Sequence, residues 1–220
     1  MRILVGLAIA VSTGLQAAGE PFEEGTHYDL LPIPVETKSP YAIEVVEVFS
    51  YACVHCFRFE TPLQPWLETL EEDVDFRRVP AVFNNPTWEL FARVYFSAEA
   101  LRVLDKVHYA LFESLHLHGV DLRQPPLLAR FFRDVGGVDV QQLLRVFDSF
   151  SVKGRVRQAE AQARTYRITS VPTMIVDGTY RVEISPGVEG TRVLEVVDFL
   201  VEMARAKRRA KGDAEAEQGE

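Results

Sequence analysis

The chain has 220 residues, 47% of them hydrophobic and 25% charged, with a formal net charge of −8. That balance suits a folded globular protein with a core of its own, and it excludes the broad basic surface that nucleic-acid binding requires. The only two cysteines lie three positions apart, which excludes a disulfide scaffold, because a bridge closing so small a loop restrains the unfolded chain very little.

Residues 1–18 read as a cleavable signal peptide. Arg2 is a minimal charged start, Ile3 to Val11 is almost unbroken apolar sequence, and Ala17-Ala18 supply small residues for cleavage. The apolar stretch is too short for a comfortable membrane span. Export places the chain in the periplasm or outside the cell, where disulfides persist. Residues 19–41 hold Pro21, Pro32, Pro34 and Pro40 and predict an extended lead-in. Ile43 to Phe49 is β-branched and nearly continuous in apolar residues, as in a strand covered on both faces. Ser50-Tyr51-Ala52 is a turn. A helix follows from around Cys53 to about Leu70, and Pro62 and Pro65 predict a kink or an early break in it.

Val74 to Val79 is a second strand. From Thr87 to about Arg167 the apolar spacing is helical, as in Leu90, Val94, Ala98 and Leu101. Pro125-Pro126, Gly136-Gly137 and Gly154 divide this block into four or five helices. Val171-Pro172 leads into a strand over Thr173 to Val176. Asp177-Gly178 is a hairpin turn, and Tyr180 to Ile184 is the partner strand. Thr191 caps a last amphipathic helix. Arg205, Lys207, Arg208, Arg209 and Lys211, followed by Asp213, Glu215, Glu217 and Glu220, predict a solvated, disordered tail. The organisation expected is therefore α/β: a mixed sheet in two parts, 19–86 and 168–204, separated by an all-helical insertion at 87–167 and followed by a tail at 205–220.

Cys53-Val54-His55-Cys56 carries the chemistry. At a strand-to-helix junction the first cysteine meets unpaired backbone N–H groups and the positive end of the helix dipole. A thiolate is favoured there, and such cysteines fall from about 8.5 to roughly 3.5–7.5. Cys53 is the candidate nucleophile, Cys56 the resolving thiol, and His55 a source of positive charge or of a hydrogen bond to the Cys53 sulfur. Zinc accepts the same donor types, although no second Cys/His cluster accompanies them; His116 and His118 alternate with leucines and read as a helix end. A non-catalytic chaperone or binding module using the helical block also remains open. Glu47 lies inside an apolar strand, so burial there raises its pKa.

The chain resembles the DsbA family of periplasmic dithiol oxidases over roughly residues 21–203. The resemblance rests on residues 47–57 (Glu-Val-Phe-Ser-Tyr-Ala-Cys-Val-His-Cys-Phe), on Phe150-Ser151-Val152-Lys153, and on Val171-Pro172-Thr173-Met174-Ile175-Val176-Asp177-Gly178-Thr179-Tyr180. It implies a thioredoxin-like fold with a helical insertion, acting as a monomer through a redox-active Cys53–Cys56 disulfide with no other cofactor. It implies reduced exported proteins as substrates and a quinone-linked membrane oxidase of the DsbB type as the reoxidising partner. Pro172 matches the family's cis-proline beside the cysteines, Val171 the residue whose backbone pairs with substrate, and Glu47 a buried acid that relays protons to the inner cysteine. A disulfide reductase or isomerase of the same fold is the alternative activity. In one position the chain departs from the family's best-known members: Val54 stands where they carry proline.

Overall fold

The computed structural model describes residues 21–218; the signal peptide expected at 1–18 lies outside them. Within that span the elements in chain order are β1 (Asp29–Leu30), β2 (Ile43–Phe49), α1 (Val54–Leu67), β3 (Val74–Pro80), α2 (Pro86–Ala100), α3 (Leu104–His116), α4 (Pro125–Asp134), α5 (Val140–Phe147), α6 (Phe150–Thr165), β4 (Thr173–Val176), β5 (Tyr180–Glu183) and α7 (Thr191–Gln218). The strands form one mixed sheet in the order β1-β5-β4-β2-β3. β2 and β3 are parallel, and β2–β4, β4–β5 and β5–β1 are antiparallel.

All seven residues of β2 are buried, because helices cover both faces of the sheet. The two-residue alternation of a strand sends Val46 and Val48 into a core shared with α2, α3 and α6. Ile43 and Val45 go into a second core with Leu63 and Trp66 of α1 and Leu194, Val197 and Leu200 of α7. α1 buries Cys56, Phe59, Glu60, Leu63 and Trp66 on one stripe and keeps both prolines within the helix, ending at Leu67 rather than Leu70. The helical block consists of α2 to α6 among the described residues.

Asp177 and Gly178 both take positive φ, 50° and 56°, as central residues of the turn closed by Thr179 N–H donating to the Val176 carbonyl at 3.0 Å, within a three-residue loop joining Val176 to Tyr180. The lead-in crosses this turn: Val35 N–H donates to the Gly178 carbonyl at 2.8 Å. A Cβ on residue 178 would lie 2.0 Å from the Val35 oxygen, so only glycine fits. The lead-in is also less irregular than its prolines suggest, since Asp29–Leu30 pairs with β5 as an edge strand.

The expectation of a disordered tail is corrected. α7 runs unbroken from Thr191 to Gln218. Residues 204–218 are dominated by Ala, Lys, Arg and Glu, all good helix formers. Two of the arginines are also anchored: Arg205 grips both carboxylate oxygens of Asp73 at 2.6 and 2.7 Å. Arg208 pairs with Asp177 and donates to the Pro40 carbonyl at 2.9 Å. Among the described residues no helix is long and apolar enough to cross a membrane.

Candidate active site

The parallel strands β2 and β3 end side by side, with Phe49 opposite Pro80, and β4 enters antiparallel with Thr173 opposite Val48. This register brings the turn after β2 and the Val171–Pro172 peptide before β4 to the same end of the sheet. The turn is closed by Cys53 N–H donating to the Ser50 carbonyl at 3.0 Å and Ala52 N–H to Ser50 Oγ at 3.2 Å.

Cys53 is the N-cap residue of α1, with extended backbone (φ −100°, ψ 115°). Its sulfur occupies the place usually taken by a serine or aspartate oxygen, accepting the Cys56 N–H at 3.5 Å. The Cys53 thiol is lowered to about 6, chiefly by hydrogen bonding from the Cys56 thiol. The Cys56 and His55 amides and the His55 charge add to this against the cost of burial. Cys56 is wholly buried, and burial pushes its thiol well above the ordinary range. Ser50 N–H points at its sulfur at 3.5 Å. Both thiols are free.

The Val171–Pro172 bond is cis. As a thiol, Cys53 donates to the Val171 carbonyl at 3.5 Å; as a thiolate it must give up that contact, leaving an unpaired backbone acceptor next to a nucleophilic sulfur. His55 is exposed. It reaches Cys53 through its backbone amide and its charge, without a side-chain hydrogen bond. No group of three or more His, Cys, Asp or Glu among the described residues is arranged to hold a metal ion.

Glu47 is completely buried on β2 and pairs with its cross-strand neighbour Arg78 at 2.8 Å. Its second oxygen, Oε1, has no hydrogen-bond partner among the described residues. Burial lifts its pKa to about 8, against the pull of Arg78 and with a further push from Glu60. A carboxyl group so placed holds a proton at neutral pH beneath the cysteines.

Four neighbours escaped the sequence reading. Glu60 is fully buried one turn beyond Cys56 and shares Arg78 at 3.3 Å. Its oxygen Oε1 lies 3.2 Å from Nε2 of the buried His108. The other ring nitrogen of His108 meets the Tyr51 hydroxyl at 2.6 Å. Burial favours protonation of Glu60, but hydrogen bonding from His108 and the Arg78 charge outweigh it, and Glu60 is held below the usual carboxylate range. His116, expected only as a helix end, closes α3 and also reaches the site: its Nε2 lies 2.8 Å from the Tyr51 carbonyl.

A family model described as a DSBA-like thioredoxin domain matches residues 44–196. The thiol:disulfide interchange protein DsbA of Pseudomonas syringae pv. tomato is 38% identical over 209 residues, spanning 94% of this chain and 97% of that protein. The protein of the same name from Azotobacter vinelandii is 37% identical over 214 residues, spanning 94% and 99%. Among solved structures, Pseudomonas aeruginosa DsbA superposes with a TM-score of 0.81 at 36% identity, covering 87% of this chain and 98% of that one. Oxidoreductase DsbA from Xylella fastidiosa gives 0.77 at 34% identity, covering 84% and 98%.

Proposed function

The chain belongs to the DSBA-like thioredoxin domain family, and we propose that it donates its Cys53–Cys56 disulfide to reduced proteins exported to the periplasm. It is a thiol:disulfide interchange oxidoreductase whose redox group is its own cysteine pair, with no separate cofactor. The observation that carries the direction of transfer is the inequality of the two thiols: Cys53 caps a helix with its sulfur and is lowered to about 6, while Cys56 is buried and raised.

In the oxidised protein a substrate thiolate attacks Cys53 Sγ, the more accessible sulfur. The Cys53–Cys56 bond breaks as the substrate–Cys53 bond forms, and Cys56 departs as a thiolate. Its raised pKa makes it take up a proton, and we assign Glu47, protonated at neutral pH and electrostatically coupled to Cys56, as the internal donor. A second substrate thiolate then attacks the substrate sulfur of the mixed disulfide and expels Cys53. Because Cys53 is stable as a thiolate, it leaves readily and the dithiol form is favoured. The substrate loses two electrons and two protons; the protein gains both electrons and one proton, which restores Glu47 after it has protonated Cys56, and the other proton goes to solvent. The cis Val171–Pro172 peptide supplies the carbonyl that Cys53 relinquishes, available to an extended substrate backbone. Regeneration falls to a membrane oxidase of the DsbB type that passes the electrons to quinone; the chain acts as a monomer.

Equilibration of the Cys53–Cys56 couple with glutathione tests the direction. A potential well above the roughly −270 mV of thioredoxin is expected; a value near or below it refutes donation in favour of reduction. Cys53→Ser should abolish exchange, and retained in vivo function in that variant would return the chain to the chaperone class.

A further inference from the structure

We infer that one face of α3, carrying His108, Phe112 and His116, clamps the active-site turn at Tyr51 and so sets how stable the Cys53 thiolate is. This rests on the disulfide-donor reading and names positioning residues for it. The three residues recur every fourth position and share one side of the helix. Each holds a different part of Tyr51: His108 Nδ1 its hydroxyl at 2.6 Å, Phe112 its ring edge-on at 4.8 Å, and His116 Nε2 its backbone carbonyl at 2.8 Å.

Chemistry fixes where the protons sit. Glu60, as a carboxylate, accepts, so His108 Nε2 carries the hydrogen and Nδ1 is the acceptor for the Tyr51 O–H. A backbone carbonyl also only accepts, so His116 donates from Nε2. Tyr51 is 1% and His108 6% exposed. Neither polar group can turn away without being left unpaired in the core, which costs more than the bond itself. His116 is also stacked flat on Phe57 in the first turn of α1, centroids 5.4 Å apart and planes 13° from parallel. Phe57 N–H donates in turn to the Cys53 carbonyl at 3.1 Å. The same helix face therefore holds both sides of Cys53, the turn that leads into it and the helix start that follows. The thiolate depends on hydrogen bonds near 3.5 Å, so a small displacement of either side weakens them.

The test compares Tyr51→Phe, His116→Leu and His108→Leu with the unaltered protein. His116→Gln, which keeps an N–H donor, serves as the conservative rescue. Two quantities are read: the pH midpoint of thiolate absorbance near 240 nm and the equilibrium constant with glutathione. A weakened thiolate destabilises the dithiol form, so the equilibrium should shift toward the protein disulfide. The expected shift is about twofold to tenfold for Tyr51→Phe and for His116→Leu, the range set by losing one hydrogen bond. His116→Gln should restore most of it. The Tyr51→Phe/His108→Leu pair should shift less than the sum of its singles, because both remove one bond. If the melting temperature falls while midpoint and equilibrium stay at the unaltered values in Tyr51→Phe and His116→Leu, the histidines are merely structural and the inference is overturned. His108→Leu is the variant at risk of not folding, and the other two decide without it. A low potential in the unaltered protein refutes disulfide donation itself, whereas the clamp is judged on shifts relative to that protein.

Discussion

The lowered Cys53 thiol makes the stability difference between the reduced and oxidised proteins depend on pH. In the reduced fold the thiol titrates at about 6; in the unfolded chain it titrates near ~8.5. A group whose pKa is depressed by folding stabilises the fold above its unfolded pKa. That contribution is lost as pH falls through the folded value. Below pH ~6 it is therefore absent, and between ~6 and ~8.5 it grows by about 1.4 kcal/mol per unit. At pH 7 the figure is about 1.4 kcal/mol, reduced to about 1 kcal/mol because Cys53 is partly exposed and water screens part of the effect. The oxidised protein has no thiol and no such term, and Glu47 is common to both forms, so its contribution largely cancels in the difference. Urea melts of both forms at pH 4.5, 6, 7 and 8 should show the reduced protein gaining on the oxidised one only above pH ~6, with thiolate absorbance rising over the same interval. A difference constant from pH 4.5 to 8, or an absorbance midpoint at 8 or higher, refutes the account of Cys53 as a capped thiolate.

Glu47→Gln keeps the shape of the buried acid but removes its proton. Since the Glu47 pKa is raised to about 8, folding at neutral pH costs free energy that the amide does not incur. The variant should therefore be more stable by about 1–3 kcal/mol at pH 7. Its disulfide should also be reduced roughly a hundredfold more slowly, at the low end of general-acid effects; a less stable variant with an unchanged stopped-flow rate contradicts both parts. Val54→Pro should raise stability by about 0.4–1 kcal/mol, because Val54 opens α1 and Cys53 before it is extended, a backbone that tolerates a following proline. The amides that stabilise the thiolate belong to His55 and Cys56, so the Cys53 midpoint should stay within about one unit, and a larger move in the 240 nm titration would show that residue 54 acts on the sulfur directly.

The residues that were legible in the sequence are those whose signal is local. Strand β2 shows as an unbroken apolar run, Cys53 and Cys56 as a spaced pair at a junction, and Asp177-Gly178 as a turn. Glu47 shows as an acid inside a strand. Tyr51, Glu60, Arg78 and His108 were not legible, because Tyr51 and His108 are 57 positions apart and meet only after α3 packs on α1. Partial signals did exist. Glu60 falls on the same α1 stripe as Cys56, Phe59 and Leu63, where a carboxylate needs a partner. The acids of β2, Glu44 and Glu47, are matched by Arg77 and Arg78 on β3. The charged end of α7 misled in the opposite sense: composition alone favoured disorder, and the carboxylates that anchor Arg205 and Arg208 lie far away in the chain.

The buried charges under the cysteines also explain which acid keeps a proton. Glu47 and Glu60 are both completely buried and face one guanidinium, that of Arg78. One cation cannot balance two carboxylates in a low-dielectric core, so one of them must be neutral. His108 breaks the tie. Its Nε2–H, backed by the side chain of Gln64, gives Glu60 donors that Glu47 lacks, and Glu47 is left with an unpartnered oxygen. The negative charge therefore settles on Glu60 and the proton on Glu47, in agreement with one pKa lowered and the other raised. In the proposed reaction a thiolate is released from Cys56 into this region, and the residue that keeps its proton is the one on the strand leading to the cysteines. His108, which holds the Tyr51 hydroxyl, thus serves both ends of the site, steadying the turn before Cys53 and fixing which carboxyl group remains an acid near Cys56.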